Sequence, residues 1–411
     1  MEQIIFHIDV NSAFLSWSAL QQLSEGSMVD LRLIPSIVGG DIERRHGVVL
    51  AKSIPAKAYG ITTGEPVVNA IKKCPNLVIA SPNHKMYEAK SQALMQYLFD
   101  ICPDIEQTSI DECYLNYSPI SHLYSSPEAA AACIKDEILK NFGFTVNIGI
   151  SNKKVLAKMA SDFKKPNLVH TLYSHEIKEK LWPLPVSDLY MCGNSSVEAL
   201  EKLEILTIGD LAKADPFILS AHLKSHGLLL WKYANGEDDS VVMPMPAKRK
   251  GVGNSTTLSH DLTSRKEAAH TLLTLSESVC KSLRSSKEVC SLVCVEIKYA
   301  SFQSLSHQMT LASPSASTDI IYQTAMTLFD AIWNKHPIRL LGIRVSKLSS
   351  DSEPVQLNLF DITNQGKENE KLKKLDSALD TIRNKYGSES VVRGSMLSSK
   401  KEHNRGGSPF T

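Results

Sequence analysis

QIIFHIDV, Gln3–Val10, is a short isoleucine-rich run that ends beside a carboxylate. A brief continuous apolar run of this kind reads as a buried strand, with Asp9 at its exit. Working outward, Asn11–Leu23 carries Phe14, Trp17, Ser18 and Leu20 at close to helical spacing, so a helix follows that carboxylate. Much further along, Asp104–Tyr117 (DIEQTSIDECYLNY) alternates Cys113, Leu115 and Tyr117 as a strand does, placing the adjacent pair Asp111-Glu112 in a strand hairpin. Phe144–Ile150 (FTVNIGI) is another strand, and a helix is expected from Ser151 to about Phe163.

The remaining segments read as smaller units with no internal repeat. Residues 36–73 are rich in turn formers (Gly39-Gly40, Pro55, Gly60, Gly64, Pro66), which suits a small subdomain. Helical patterns occupy Lys85–Cys102 and Pro127–Asn141, and two compact helical units fill 185–240. Pro244 and Pro246 with Lys248, Arg249 and Lys250 mark a linker. From 251 to 349, helices at about 264–284 and 318–335 alternate with strands such as 289–299 and 339–348. Asp351–Asn369 is loop-like; the charged helix that follows to about Tyr386, and the tail from Lys400, are expected to be solvated or disordered.

Composition bounds the function. With 411 residues, 43% hydrophobic and 22% charged, the chain is neither collagen-like, nor disordered throughout, nor a disulfide scaffold. The net charge of +1 hides an uneven distribution: residues 1–244 hold 22 basic and 28 acidic side chains, residues 245–350 hold 13 and 7. An acidic first part joined to a basic segment suggests catalysis in one place and polyanion binding in another. The eight cysteines form no CxxC pair, and Cys290 and Cys294 fall in a strand-like run as buried thiols. That usage points to a reducing compartment without structural zinc. No apolar run reaches the ~18–20 residues of a membrane span, and the start, with Glu2 and Asp9, does not look like a signal peptide. The expectation is a soluble, cytoplasmic protein.

Two-metal phosphoryl transfer needs carboxylates held on neighbouring strands, and magnesium takes oxygen ligands beside a nucleotide triphosphate. Asp9, Asp111 and Glu112 could form such a set, although exposed aspartates at strand ends are common. The wider pattern is more specific. Asp9-Val10-Asn11-Ser12-Ala13-Phe14, then Ser109-Ile110-Asp111-Glu112, then Gly149–Asn167 (GISNKKVLAKMASDFKKPN) occur in this order and spacing. Together they resemble the Y-family translesion DNA polymerases over roughly residues 3–350, with the polymerase IV and polymerase V subgroups both open.

The resemblance implies an α+β, right-hand polymerase. Its parts would be a ferredoxin-like palm (1–35 and 74–173), small fingers (36–73) and a helical thumb with helix-hairpin-helix turns (174–240). A linker (241–250), an α/β little finger domain (251–349) and a tail (350–411) would follow. It further implies template-directed addition of deoxynucleotides to a primer 3′-end, at low fidelity and past damaged template, by a monomer acting in DNA repair in the nucleoid-associated cytoplasm. Asp9, Asp111 and Glu112 match the family's metal-binding carboxylates, with the Val10 carbonyl a further ligand for two Mg2+ ions, Mn2+ serving as a substitute. Phe14 matches the steric gate that collides with a ribose 2′-hydroxyl, and Lys165 the lysine that pairs with the incoming triphosphate. Lys154, Lys158 and Lys165 fall on one face of the expected continuous helix, a solvated basic face being the plain alternative for the first two.

The same resemblance marks departures. In Ala51–Ile61 (AKSIPAKAYGI), similar to the fingers motif, Ile54 and Lys57 stand where the family often has a tyrosine and an arginine on the triphosphate. Lys57 supplies a point charge without a bidentate fork. Asn11 replaces an aspartate of many relatives and is expected not to touch catalysis. The first thumb turn, Tyr190–Asn194, has Met191 for a glycine, leaving its phosphate grip in doubt; the second, Leu223–Gly227, fits better. The little finger's lysines and arginines would neutralise DNA phosphates. Gln356, Leu357, Leu359 and Phe360 of QLNLF look like the peptide that docks on the bacterial sliding clamp. Three rivals are weaker. Gly39–Glu43 resembles a diguanylate cyclase signature only in part, and a metal-dependent nuclease has no use for a gate or a triphosphate lysine. An inactive DNA- and clamp-binding paralogue rests on the Ile54 and Met191 departures.

Overall fold

The computed structural model describes residues 3–40, 47–245, 248–353, 365–387 and 390–394. Its chain divides into two contact units, one through Pro246 apart from residues 41–46, the other from Ala247. In chain order the first contains β1 (Ile5–Val10), α1 (Ala13–Ser24), β2 (Ser36–Gly39), β3 (Val49–Lys52), α2 (Ile54–Ala58), α3 (Val67–Lys73), β4 (Val78–Ala80), α4 (His84–Ile101), β5 (Ile105–Gln107), β6 (Glu112–Asn116), α5 (Pro127–Phe142), β7 (Val146–Ser151), α6 (Lys154–Ser161), β8 (Val169–Thr171), α7 (Asn194–Glu201), α8 (Ile208–Lys213) and α9 (Pro216–Ala234). The second contains β9 (Gly251–Leu262), α10 (Arg265–Ser285), β10 (Glu288–Tyr299), β11 (Ser304–Ser315), α11 (Thr318–Ile332), β12 (Ile338–Ser350) and α12 (Gln365–Tyr386).

Strand parity organises the first unit. Its main sheet has the order β5-β6-β1-β7-β8. Phe6, Ile8 and Val10 pack with Cys113, Leu115, Ile148 and Ile150 against α1, α4 and α5. The alternate residues Ile5, His7 and Asp9 face the other way, where Ile5 and Tyr114 meet Ala157 of α6. Both faces of β1 are therefore covered, which is why it reads as one apolar run. Asp9 pairs across the sheet with Glu112 on one side and Asn147 on the other.

Helix α6 sits close on β7 because residue 149 is glycine: a Cβ there would collide with the Ala157 carbonyl oxygen and the Ser161 nitrogen. Gly149→Ala is expected to push α6 off the sheet and destabilise the fold by ~3 kcal/mol. Chemical denaturation checks this, and an unchanged midpoint would contradict it.

A second, three-stranded sheet, β3-β2-β4, encloses a small core of Ile37, Val49, Ala56, Ile61, Val67, Ala70 and Cys74. Helices α7, α8 and α9 share a further core with α6; α9 is broken at Lys224, where φ is 55°. Val241–Met243, expected within the linker, are instead laid on the main sheet. Val242 is buried against Ile5 and Tyr114, and Met243 N donates to Glu106 at 2.7 Å.

The second unit is an antiparallel sheet of order β11-β10-β12-β9, with α10 and α11 packed on one face. The charged helix α12 is not solvated all round, contrary to expectation. Asp376 is only 2% exposed, accepts from Thr318 N at 2.9 Å and pairs with Arg284 and Arg393 at 3.4 Å. Arg284 also bonds Asp380 at 2.6 Å, and Arg383 and Arg393 share Glu277. Asp376, Asp380 and Arg383 follow helical spacing on the docked side, while Leu375, Ile382 and Tyr386 are exposed. The docked face thus mixes these charges with the half-buried Leu372 and Leu379 and is no plain apolar stripe, which hydrophobic periodicity looks for. Arg284→Ala takes one of two cations from the buried Asp376 and the close partner from Asp380, and is expected to cost ~3 kcal/mol. Thermal unfolding of the full chain measures it, and a change below ~0.5 kcal/mol would mean the network contributes little.

Candidate active site

The β5–β6 turn is fixed by one serine. Ser109 Oγ donates to Asp111 Oδ1 at 2.6 Å, and accepts from the backbone N–H groups of Asp111 and Glu112 at 3.2 and 3.1 Å. Val10 N donates to the Asp111 carbonyl at 3.0 Å, so the turn is stitched to the exit of β1. The sheet thereby brings Asp9, Asp111, Glu112 and the Val10 backbone together at one edge of the α6 face.

Each carboxylate has a different environment. Burial raises the Asp111 pKa, and the neighbouring charges of Asp9 and Glu112 add to this against the Ser109 hydrogen bond. Burial also acts upward on Glu112, but the His7 ring beside it and the Lys158 ammonium bonded to it outweigh this and bring the group down to about 2. Asp9 is ion-paired with Lys165, which also reaches Asp162 at 2.8 Å. Among the described residues no three His, Cys, Asp or Glu side chains are grouped as a metal centre, because Glu112 turns to Lys158 and Asp9 to Lys165. The all-oxygen donors, and an Asp111 crowded by like charge, still suit a hard divalent cation.

Contrary to the sequence expectation, the three lysines do not lie on one helix. Helix α6 ends at Ser161, and Lys165 sits in the loop beyond. Lys154 bonds Glu106 at 2.7 Å and lies 4.6 Å from the centre of the Tyr114 ring, so its charge is committed within the sheet. Lys158 and Lys165, by contrast, both meet the carboxylates.

Phe14 is held rather than free. Its ring stacks on Tyr87 at 4.5 Å, and the Tyr87 hydroxyl is 2.7 Å from Ser18 Oγ. Ile54 is 62% exposed on α2, with Lys57 exposed on the same short helix. Lys52 on β3 stands close enough to Lys57 that burial first, and then that charge, lowers its pKa. In the first thumb turn Met191 is exposed at φ 70°, taking the left-handed conformation a glycine adopts without cost. Residues 356–360 of the clamp-like peptide, and Asp41–Glu43 of the cyclase-like stretch, lie outside the described residues.

Tyr87, His7 and Lys52 went unnoticed in the sequence. Lys52 lay within the quoted fingers motif, and His7 within the opening strand between Ile5 and Asp9. His7 is fully buried, with Nδ1 2.7 Å from Ser161 Oγ and Nε2 3.4 Å from Glu112. Tyr87 gives no local signal, since only the fold brings it under Phe14.

In the second unit, strand pairing gives the sheet face opposite the helices. It carries Ser304, Ser306 and Gln308 of β11, Lys298 and Glu296 of β10, Gly342 and Arg344 of β12, and Gly253 and Ser255 of β9. Serines and glycines keep part of that face low around Lys298 and Arg344, with Glu296 between them and Cys294 and Leu340 on the same side.

A carboxylate-bearing palm sheet, a small β subdomain, a helical subdomain and a separate α/β unit define a right-hand polymerase fold. The fold is that of a solved Y-family DNA polymerase chimera, with a TM-score of 0.72 and 22% identity, covering 84% of this chain and 98% of that one. The impB/mucB/samB family matches residues 8–162, and its C-terminal domain matches residues 249–359. DNA polymerase IV of Clostridium acetobutylicum is 45% identical over 97% of this chain and 99% of its own. That of Acetivibrio thermocellus is 36% identical over 97% and 98%, and DNA polymerase IV 1 of Bacillus subtilis 33% over 98% and 95%. The chain belongs to the impB/mucB/samB family, the Y-family DNA polymerases. Divalent metal use is general to this fold.

Proposed function

We propose that the chain is a DNA-directed DNA polymerase that adds deoxynucleotides to a primer 3′-end, at low fidelity, in translesion synthesis. The observation that carries this is the cross-strand pair Asp9–Glu112 with Asp111 in the adjoining turn, faced by Lys165 and Lys158. Asp9, Asp111, Glu112 and the Val10 carbonyl would hold two Mg2+ ions, or Mn2+ in their place, and the metal would supply activation of the primer hydroxyl and neutralisation of the departing pyrophosphate. Lys165, which bonds Asp9 and Asp162 here, would pair with the incoming triphosphate. Lys57, with Lys52 beside it, brings further positive charge to the phosphates. The Phe14 ring, backed by Tyr87, excludes a 2′-hydroxyl.

The low part of the second unit's sheet face suits close approach of a DNA backbone to Lys298 and Arg344, giving sequence-independent, salt-sensitive binding. Gln356, Leu357, Leu359 and Phe360 would dock on the sliding clamp, and the enzyme would act as a cytoplasmic monomer. No observation favours the inactive paralogue: the three carboxylates and Lys165 are all in place. The test is extension of a primer across an abasic site by the full chain. Insertion opposite the lesion is expected; complete arrest one base before it, alongside normal extension on undamaged template, would remove the translesion part of the reading.

A further inference from the structure

We infer that Asn11 and Asn147 form an amide pair that positions Lys165 for the incoming triphosphate; this deepens the reading above and rests on Lys165 being the triphosphate lysine. Asn147 lies directly across from Asp9 on β7 and is fully buried. Its Nδ2 donates to the carbonyls of Ser161 at 3.2 Å and Lys164 at 2.9 Å. Its Oδ1 accepts from Asn11 Nδ2 at 3.2 Å and from Leu168 N at 3.3 Å. Asn11 Oδ1 accepts in turn from Asn167 N at 2.9 Å. Asn11 is itself anchored, its N–H donating to Thr145 O at 3.0 Å and its carbonyl accepting from Ser16 Oγ at 2.7 Å.

The two amides therefore tie the exit of β1 to both sides of Lys165: Ser161 and Lys164 before it, Asn167 and Leu168 after it. Residues 162–168 form no helix or strand of their own, and Asn167 sits at φ 60°. The amide bonds thus set where the Lys165 side chain leaves the backbone. Backbone N–H groups only donate and carbonyls only accept, so these partners fix both amide orientations.

A carboxylate at position 11 could not serve. Aspartate would still accept from Asn167 N but would meet Asn147 Oδ1 oxygen to oxygen. Turning Asn147 to offer its Nδ2 would set its oxygen against the Ser161 and Lys164 carbonyls. The expectation that Asn11 is remote from catalysis gives way to a positioning role.

The experiment is single-nucleotide insertion by the full chain, with KM for the deoxynucleotide and kcat measured separately. Wild type, Asn11→Asp, Asn11→Ser, Lys165→Ala and the double variant Asn11→Asp/Lys165→Ala are compared, each checked by thermal melting. A misplaced lysine is expected to raise KM about tenfold in both Asn11 variants, with a much smaller change in kcat. The double variant should have no higher KM than Lys165→Ala alone. Independently of turnover, deoxynucleotide should protect Lys165 from an amine-acylating reagent, read by mass spectrometry, at about tenfold higher concentration in Asn11→Asp than in wild type. An Asn11→Asp or Asn11→Ser variant that melts normally and keeps wild-type KM and protection overturns the inference, as does a fully additive double variant. A wild-type KM in Lys165→Ala would instead sink the triphosphate assignment, and the positioning role with it.

Discussion

Asp111→Ala is expected to abolish primer extension while leaving primer-template binding intact. Among the three carboxylates Asp111 is the one whose partner within the protein is a hydroxyl, that of Ser109, rather than a cation. Its pKa is raised by burial and by the charges of Asp9 and Glu112. Removing it relieves repulsion in the folded state, so the variant should fold at least as well as wild type. Glu112→Ala is a poorer probe, because it strips His7 and Lys158 of their partner. Loss of several kcal/mol of transition-state charge stabilisation, at about 1.4 kcal/mol per decade, lowers the rate at least ~10³-fold. Gel-resolved extension and fluorescence-anisotropy binding measure the two quantities, and retained extension would sink the metal assignment.

Phe14→Ala is expected to admit ribonucleotides. The ring is stacked on Tyr87 at 4.5 Å and edge-on to His84 at 6.2 Å, so it cannot swing aside cheaply to make room for a hydroxyl. Discrimination by kcat/KM should fall by about two orders of magnitude, the scale on which a shaped site distinguishes substrates differing in one hydroxyl. Tyr87→Ala should weaken the gate in the same direction by leaving Phe14 unsupported. Unchanged discrimination in Phe14→Ala would return Phe14 to the role of a core aromatic.

The parts of this site legible in the sequence are those where chemistry demands a residue type at a fixed place. Asp9 at the end of an apolar strand and Asp111-Glu112 in a hairpin fall where they were read, Asp9 and Glu112 paired across strands and Asp111 in the turn just before β6. Lys165 meets Asp9, though from a loop: α6 stops at Ser161, and Pro166 disfavours helix for the residue before it. Residues that act through long-range contact left no local trace. Asn147 looks like any polar residue in a strand, and its meaning lies in partners 14 to 136 positions away.

The fold shows the same division. Strongly periodic helices such as α4, α5, α10 and α11 were read close to their observed bounds. Strands β9 and β11 were not, because polar residues interrupt their apolar side, Asn254 and Thr256 beside Val252 in β9 and His307 between Leu305 and Met309 in β11, and blur the alternation. Helix α12 was read as a helix but assigned to solvent, since ion pairs break up the apolar stripe of its docked face.

The most direct measurement is primer extension by the full chain in four parallel reactions, each with a single deoxynucleotide and Mg2+, on templates that differ in the next base. The account predicts metal-dependent addition favouring the complementary nucleotide on every template, with Asp111→Ala inactive throughout. No addition with any divalent metal, or addition indifferent to the template base, would contradict it.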